Sequence, residues 1–132
     1  MGRISRRSAI ETQLFILLSR EYLEAGEVLY QLGKRSRPVV FCYIQSAELF
    51  LKGLAQQQGI LNESLRKTHA LLDLCNALKE FPNELKNAIE QLSPIDPKTT
   101  RFRYPTQEKG TWDLDEIRGH VLRLHEEKSE RF

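Results

Sequence analysis

The sequence predicts an all-α protein: an up-and-down bundle of about five helices forming a single domain over residues 1–132. Three observations predict it. Apolar residues recur at helical spacing in each long segment, and no segment alternates as a half-buried strand would. Helix-boundary residues fall between those segments, at Gly33, Pro38, Gly59, Pro82 and Asp113. A chain of 132 residues, 40% hydrophobic and 29% charged, has the size and composition of one globular core.

Residues 1–7 carry Arg3, Arg6 and Arg7 and no acid, which reads as a mobile basic arm. The first helix is expected from Ser8 to Leu32, with Ile10, Leu14, Leu17, Leu18, Tyr22, Ala25, Val28 and Leu29 at helical positions. Gly33 ends it, and Lys34 and Arg35 stand at the negative end of its dipole. The second helix starts near Pro38, a good first-turn residue, and continues to Gly59. The run Val39 to Ile44 alone would suit a buried strand. Ala47, Leu51, Leu54 and Ala55 prolong it at helical spacing, and its apolar surface is nearly all round, so this is the central helix.

The third helix is expected to start at Thr68 as N-cap, to bury Leu71, Leu72, Cys75 and Leu78, and to stop at Phe81-Pro82. A short fourth helix runs from Asn83 to Leu92 and buries Leu85, Ala88, Ile89 and Leu92. The loop of residues 93–112, with three prolines, is long enough to suggest function or disorder. The last helix opens on Asp113 with Glu116 in capping-box spacing and buries Leu114, Ile117, Val121 and Leu124.

A formal net charge of +2 does not by itself mark a nucleic-acid binder; placement has to do so. The longest apolar run, Val39 to Ile44, is far too short to span a bilayer. Cys42 and Cys75 read as reduced core residues of a cytoplasmic protein. No spacing of His, Cys or acid suggests a metal, and no phosphate-cradling Gly loop or nucleophile elbow suggests a cofactor or acyl chemistry. Alternating helix directions are expected to gather the N-terminal arm, the 59–68 connection and the 93–112 loop at one end. That pole would hold Arg66, Lys67, Lys98, Arg101, Arg103 and Lys109, with Phe102 and Tyr104 among them, against Glu63, Asp96 and Glu108. Cations interleaved with aromatics suit phosphate attraction and base stacking; the alternative is an ordinary set of solvated loops.

Three short patterns stand in order along the chain: Ala47-Glu48-Leu49-Phe50-Leu51-Lys52-Gly53-Leu54 in the central helix, Thr68-His69-Ala70-Leu71 after Gly59, and Arg103-Tyr104-Pro105 in the long loop. Together they resemble the HEPN family of small helical domains. The resemblance implies a five-helix bundle like that of nucleotidyltransferase substrate-binding subunits, frequent homodimers, and association with nucleotides or RNA. It also implies a partner nucleotidyltransferase, commonly in a toxin–antitoxin pair. The ligand residues this reading singles out are Lys52, Lys67, His69, Arg101, Arg103 and Tyr104. The residues also admit a structural reading, in which Glu48 and Lys52 pair one turn apart and Arg103 ties the loop to them, with His69 joining the network.

Many members of that family are metal-independent endoribonucleases with four to six residues between an Arg and a His. Arg118 and His125 have six residues between them and return to nearly one face of the last helix, about 10 Å apart. The His would serve as general acid/base and the Arg would stabilise phosphorane charge. Gly119 follows the Arg where that motif favours a polar residue, and the pair lies after the Arg-Tyr-Pro element. The sequence thus favours a homodimeric nucleotide- or RNA-binding module. Its rivals are a ribonuclease using Arg118 and His125, and a pure protein-interaction domain.

Overall fold

The computed structural model describes residues 6–95 and 113–131. Six helices are present among them: α1 (Arg6–Gln31), α2 (Arg37–Gln57), α3 (Glu63–Lys67), α4 (Leu71–Ala77), α5 (Asn83–Leu92) and α6 (Leu114–Arg131). No strand occurs among the described residues. The arginines at 6 and 7, read as part of an arm, lie within α1.

α1 and α2 form an antiparallel hairpin whose tight turn follows from Gly33, at φ +78°. Lys34 N–H reaches back to the Leu29 carbonyl at 3.0 Å, closing the end of α1 in the six-to-one pattern that a left-handed residue permits. Gly59 ends α2 in the same way, with Ile60 N–H on the Ala55 carbonyl. Cross-helix contacts fix the antiparallel register: Gln56 meets Glu11, Ser46 meets Ser19, and the Tyr43 ring lies beneath Gly26.

α2 is the central helix. Val39, Tyr43, Ala47, Phe50, Leu51, Leu54 and Ala55 are buried and touch α1, α4 and α6 between them. α5 begins beside the end of α2, where the Gln58 side chain accepts from Lys79 N–H and donates to the Glu80 carbonyl. α6 packs on α2 and α5 and runs antiparallel to α1, with Asp115 at Tyr30, Arg118 at Glu27 and His125 at Ser19. The aliphatic positions expected to be buried on α5 and α6 are buried.

Two expectations need correction. Thr68 is not an N-cap: α3 intervenes, Thr68 closes it, and its Oγ1 accepts Ala70 N–H at 3.2 Å in a turn before α4. The N-cap in this connection is Asn62, at the start of α3, whose side chain accepts Leu65 N–H at 2.8 Å. On α1, the inward face is Ile16, Ser19, Leu23, Gly26, Leu29 and Tyr30, whereas Ile10, Leu14, Leu17, Leu18 and Val28 face solvent.

Burial raises the thiol pKa of both Cys42 and Cys75, which keeps them protonated and unreactive.

Space at two helical glycines gives opposite predictions. A Cβ on Gly53 would stand 2.8 Å from Ile16 Cδ1 and 3.3 Å from Phe15 Cβ of α1; one on Gly119 would meet nothing within 4 Å. Thermal unfolding should show Gly53→Leu destabilising by about 1–3 kcal/mol and Gly119→Ala stabilising by roughly 0.5–1 kcal/mol.

Candidate functional site

The buried α2 carries two charges, Glu48 and Lys52, with side chains only 4% and 6% exposed. Lys52 Nζ donates to Glu48 Oε2 at 3.1 Å and to the Arg66 carbonyl at 2.7 Å. His69 Nδ1 lies 3.0 Å from Glu48 Oε1, so the imidazole donates to the carboxylate. Arg66 carries the chain outward, donating to Glu11 Oε2 at 2.8 Å, and Gln56 donates to the same oxygen. One network therefore joins α1, α2 and the 59–70 connection.

The structure thus brings Glu48, Lys52 and His69 together. Lys52 is turned inward, with its ammonium committed to Glu48 and Arg66. Lys67 projects outward, its side chain 80% exposed and 3.9 Å from an equally exposed Glu63. The His69 side chain is 40% exposed. Arg101, Arg103 and Tyr104 lie outside the described residues, as does the tie from Arg103 to Glu48.

The single basic pole is not assembled by the described residues. Arg66 and Lys67 stand beside the N-terminal part of α1. Asp113, the described end of the long connection, stands with Arg35, Val40, Leu114 and Asp115 around a cavity of about 430 Å³ at the α1–α2 turn. The length of α2, about 30 Å, separates the two places.

Arg118 and His125 both face the groove between α1 and α2. The Arg118 guanidinium grips Glu27 with both arms, Nε at 2.7 Å and Nη2 at 2.9 Å, and stacks 4.6 Å over the Tyr30 ring. Tyr43 donates its hydroxyl to the same Glu27 at 2.8 Å. The Arg118 bonds hold the Glu27 carboxyl below its ordinary pKa. Burial, followed by the facing carboxylate, pushes the Tyr43 hydroxyl well above its own.

His125 Nε2 meets Ser46 Oγ at 2.9 Å and Ser19 Oγ at 3.3 Å, and its ring tilts against Phe50. The serines form a reciprocal clasp: Ser19 donates to the Ser46 carbonyl at 2.6 Å, and Ser46 to the Ser19 carbonyl at 2.7 Å. With each serine hydroxyl donating to the facing carbonyl, the His125 tautomer that fits is the one in which Nε2 donates to Ser46. The sequence reading missed Glu27, Tyr43, Ser19 and Ser46. Their signal was present as polar residues inside apolar helices, but pairing them needed the α1–α2 register.

The two polar systems have different consequences. Glu48→Ala leaves the Lys52 charge buried without its counter-ion and should cost about 3–5 kcal/mol in chemical denaturation, whereas Glu48→Leu with Lys52→Met should recover most of that loss. Arg118→Ala should cost about 1–3 kcal/mol. Because the Glu27 pKa is depressed in the fold, its contribution is present above the unfolded carboxylate range and lost as pH falls through the lower folded value. Urea titrations across that acid range should therefore show a weaker pH dependence in Arg118→Ala than in the parent.

No cluster of three or more His, Cys, Asp or Glu among the described residues is placed to hold a metal, and none of the described helices is long and apolar enough to cross a membrane. No curated protein gives a significant match. The crystal structure of an archaeal HEPN homologue superposes with a TM-score of 0.64 over 98% of both chains at 22% identity, a likeness of fold. The HEPN domain profile matches residues 12–131, and the protein therefore belongs to the HEPN family.

Proposed function

We propose that this protein is a non-cleaving HEPN module that binds a nucleotide or RNA and works as a homodimer. The observation that carries the reading is the commitment of Arg118. A guanidinium closed on Glu27 by two charge-assisted bonds is not offered to a phosphorane, and His125 Nε2 holds its proton against Ser46. The one Arg–His pair with nuclease-like spacing thus joins helices.

Ligand contact falls to the outer edge of the other network. Lys67 offers an exposed cation, next to the part-exposed ring of His69, beside a support made by Glu48 and Lys52. Lys52 acts there by holding the 59–70 connection. Arg101, Arg103 and Tyr104 supply further phosphate and stacking contacts in this reading. A partner nucleotidyltransferase would present or receive the same ligand.

Purified protein incubated with single-stranded RNA should bind it in a salt-sensitive manner without cutting it. Lys67→Ala should lower the slope of log affinity against log salt by about one phosphate contact, and Arg101→Ala with Arg103→Ala should lower it further. Cleavage that disappears in an Arg118→Ala/His125→Ala variant would establish the ribonuclease instead. RNA and nucleotide binding that is absent, or indifferent to these cationic substitutions, would leave a protein-interaction domain.

A further inference from the structure

The face of α1 turned away from α2 holds a row of aliphatic side chains in solvent. Ile10, Leu14 and Leu17 are each 51% exposed, Val28 60% and Leu32 68%, with exposed Ala25 and Glu21 completing the row. Leu32 continues the helical path, its N–H on the Val28 carbonyl. At about 100° per residue these positions fall within a stripe about 80° wide and 33 Å long. Single exposed aliphatics are ordinary; a continuous row of this length marks an interaction surface.

The row is symmetric in sequence. Ile10 and Leu32, Leu14 and Val28, and Leu17 and Ala25 are each equidistant from Glu21. We infer that this face binds a second copy of the chain, α1 against antiparallel α1, about a two-fold axis at Glu21. The inference rests on the homodimer reading above and supplies its interface. A two-fold contact requires that if residue i meets j, then j meets i. Helical spacing makes the row's positions symmetric about its midpoint, and the two-fold pairing then sets an apolar side chain against an apolar side chain at each of them. In this register Ile10 meets the partner's Leu32, Leu14 the partner's Val28, and Leu17 the partner's Ala25.

Charge obeys the same symmetry. Arg20 and Glu24 lie on one flank of the row, both exposed, and among the described residues neither has a salt-bridge partner. A two-fold axis between antiparallel helices keeps like flanks together. Arg20 therefore comes within two residue rises, about 3 Å along the axis, of the partner's Glu24, and the pair occurs twice. Glu21 meets its own copy at the axis, where the two Arg20 side chains offset the repulsion. It also fixes register, because a slip of one turn would press Glu21 against the partner's Leu17.

Light scattering and sedimentation of the full chain test this. The parent should be a dimer, and Leu14→Glu/Val28→Glu should be a monomer with an unchanged far-UV circular dichroism spectrum, since both positions are exposed, and with a melt that no longer depends on protein concentration. Arg20→Glu should weaken the dimer about tenfold, and Arg20→Glu/Glu24→Arg should recover the part of that loss that belongs to the Arg20–Glu24 pairs. In a Cys42→Ala background, Glu21→Cys should form a disulfide with its own copy on oxidation, and Gln13→Cys should not. A dimer that survives Leu14→Glu/Val28→Glu, or a Glu21→Cys that fails to cross-link, overturns this interface while leaving the homodimer reading standing. A monomeric parent overturns both. Salt-sensitive RNA binding is read separately and decides the ligand reading alone.

Discussion

A helix buried along most of its length must answer each polar side chain it buries, and α2 buries four: Tyr43, Ser46, Glu48 and Lys52. Unanswered, each would cost one to several kcal/mol, and the charges more. Their answers come from different elements. Tyr43 takes Glu27 of α1, Ser46 takes Ser19 of α1 and His125 of α6, and Glu48 and Lys52 take His69 and the Arg66 carbonyl. These directional contacts select one register for a bundle whose apolar packing alone would tolerate several. The protein's polar chemistry is therefore largely interior, and a search for function has to separate side chains that hold α2 from those that remain available.

That separation divides the conspicuous cations. Arg118 and Lys52 are the ones that motif spacing highlights, and both are bound to carboxylates, Glu27 and Glu48. The two pairs differ in kind. The Glu48–Lys52 pair is almost wholly enclosed, where desolvation offsets much of the attraction and the gain is specificity of arrangement. The Arg118–Glu27 pair is bidentate and a quarter to a third exposed, so it keeps its attraction with less desolvation. Lys67 has neither restraint: its contact with Glu63 is weak and its side chain stays in solvent.

Most of the fold was legible in the sequence. Gly33 and Gly59 marked turns, the all-round apolar surface of 39–55 marked the central helix, and the stripes of α5 and α6 were assigned to the core from periodicity alone. α3 was missed because Thr68-His69 offered a competing start, although Asn62 three residues before Leu65 held the true cap. α1 was harder, since periodicity reports that a helix has an apolar face but not which neighbour covers it. Its most regular stripe points away from the core, and its inward face is broken by Ser19 and Gly26, which scan as polar and small. The pairing of Glu48 with Lys52 followed from one-turn spacing. The pairing of Glu27 with Arg118 joins residues 91 apart, and no local rule reaches that far.

The two faces of α1 differ in what they meet. Ser19 and Gly26 are small because α2 comes close, with the serine clasp at one crossing and the Tyr43 ring against Gly26 at another. Of its large side chains, α1 packs Ile16, Leu23, Leu29 and Tyr30 against the core. The aliphatics Ile10, Leu14, Leu17, Val28 and Leu32 line the opposite side. Apolar area left in water contributes nothing to the monomer and becomes stabilising only when covered. In the two-fold arrangement, α1 would lie between its own α2 and the second copy's α1, and the hairpin would become the middle of the assembly. The 59–70 connection leaves the hairpin at the N-terminal end of α1, so an antiparallel pairing would set the two copies of Lys67 and His69 at opposite ends of the joined helices, two separate contact points for one extended strand.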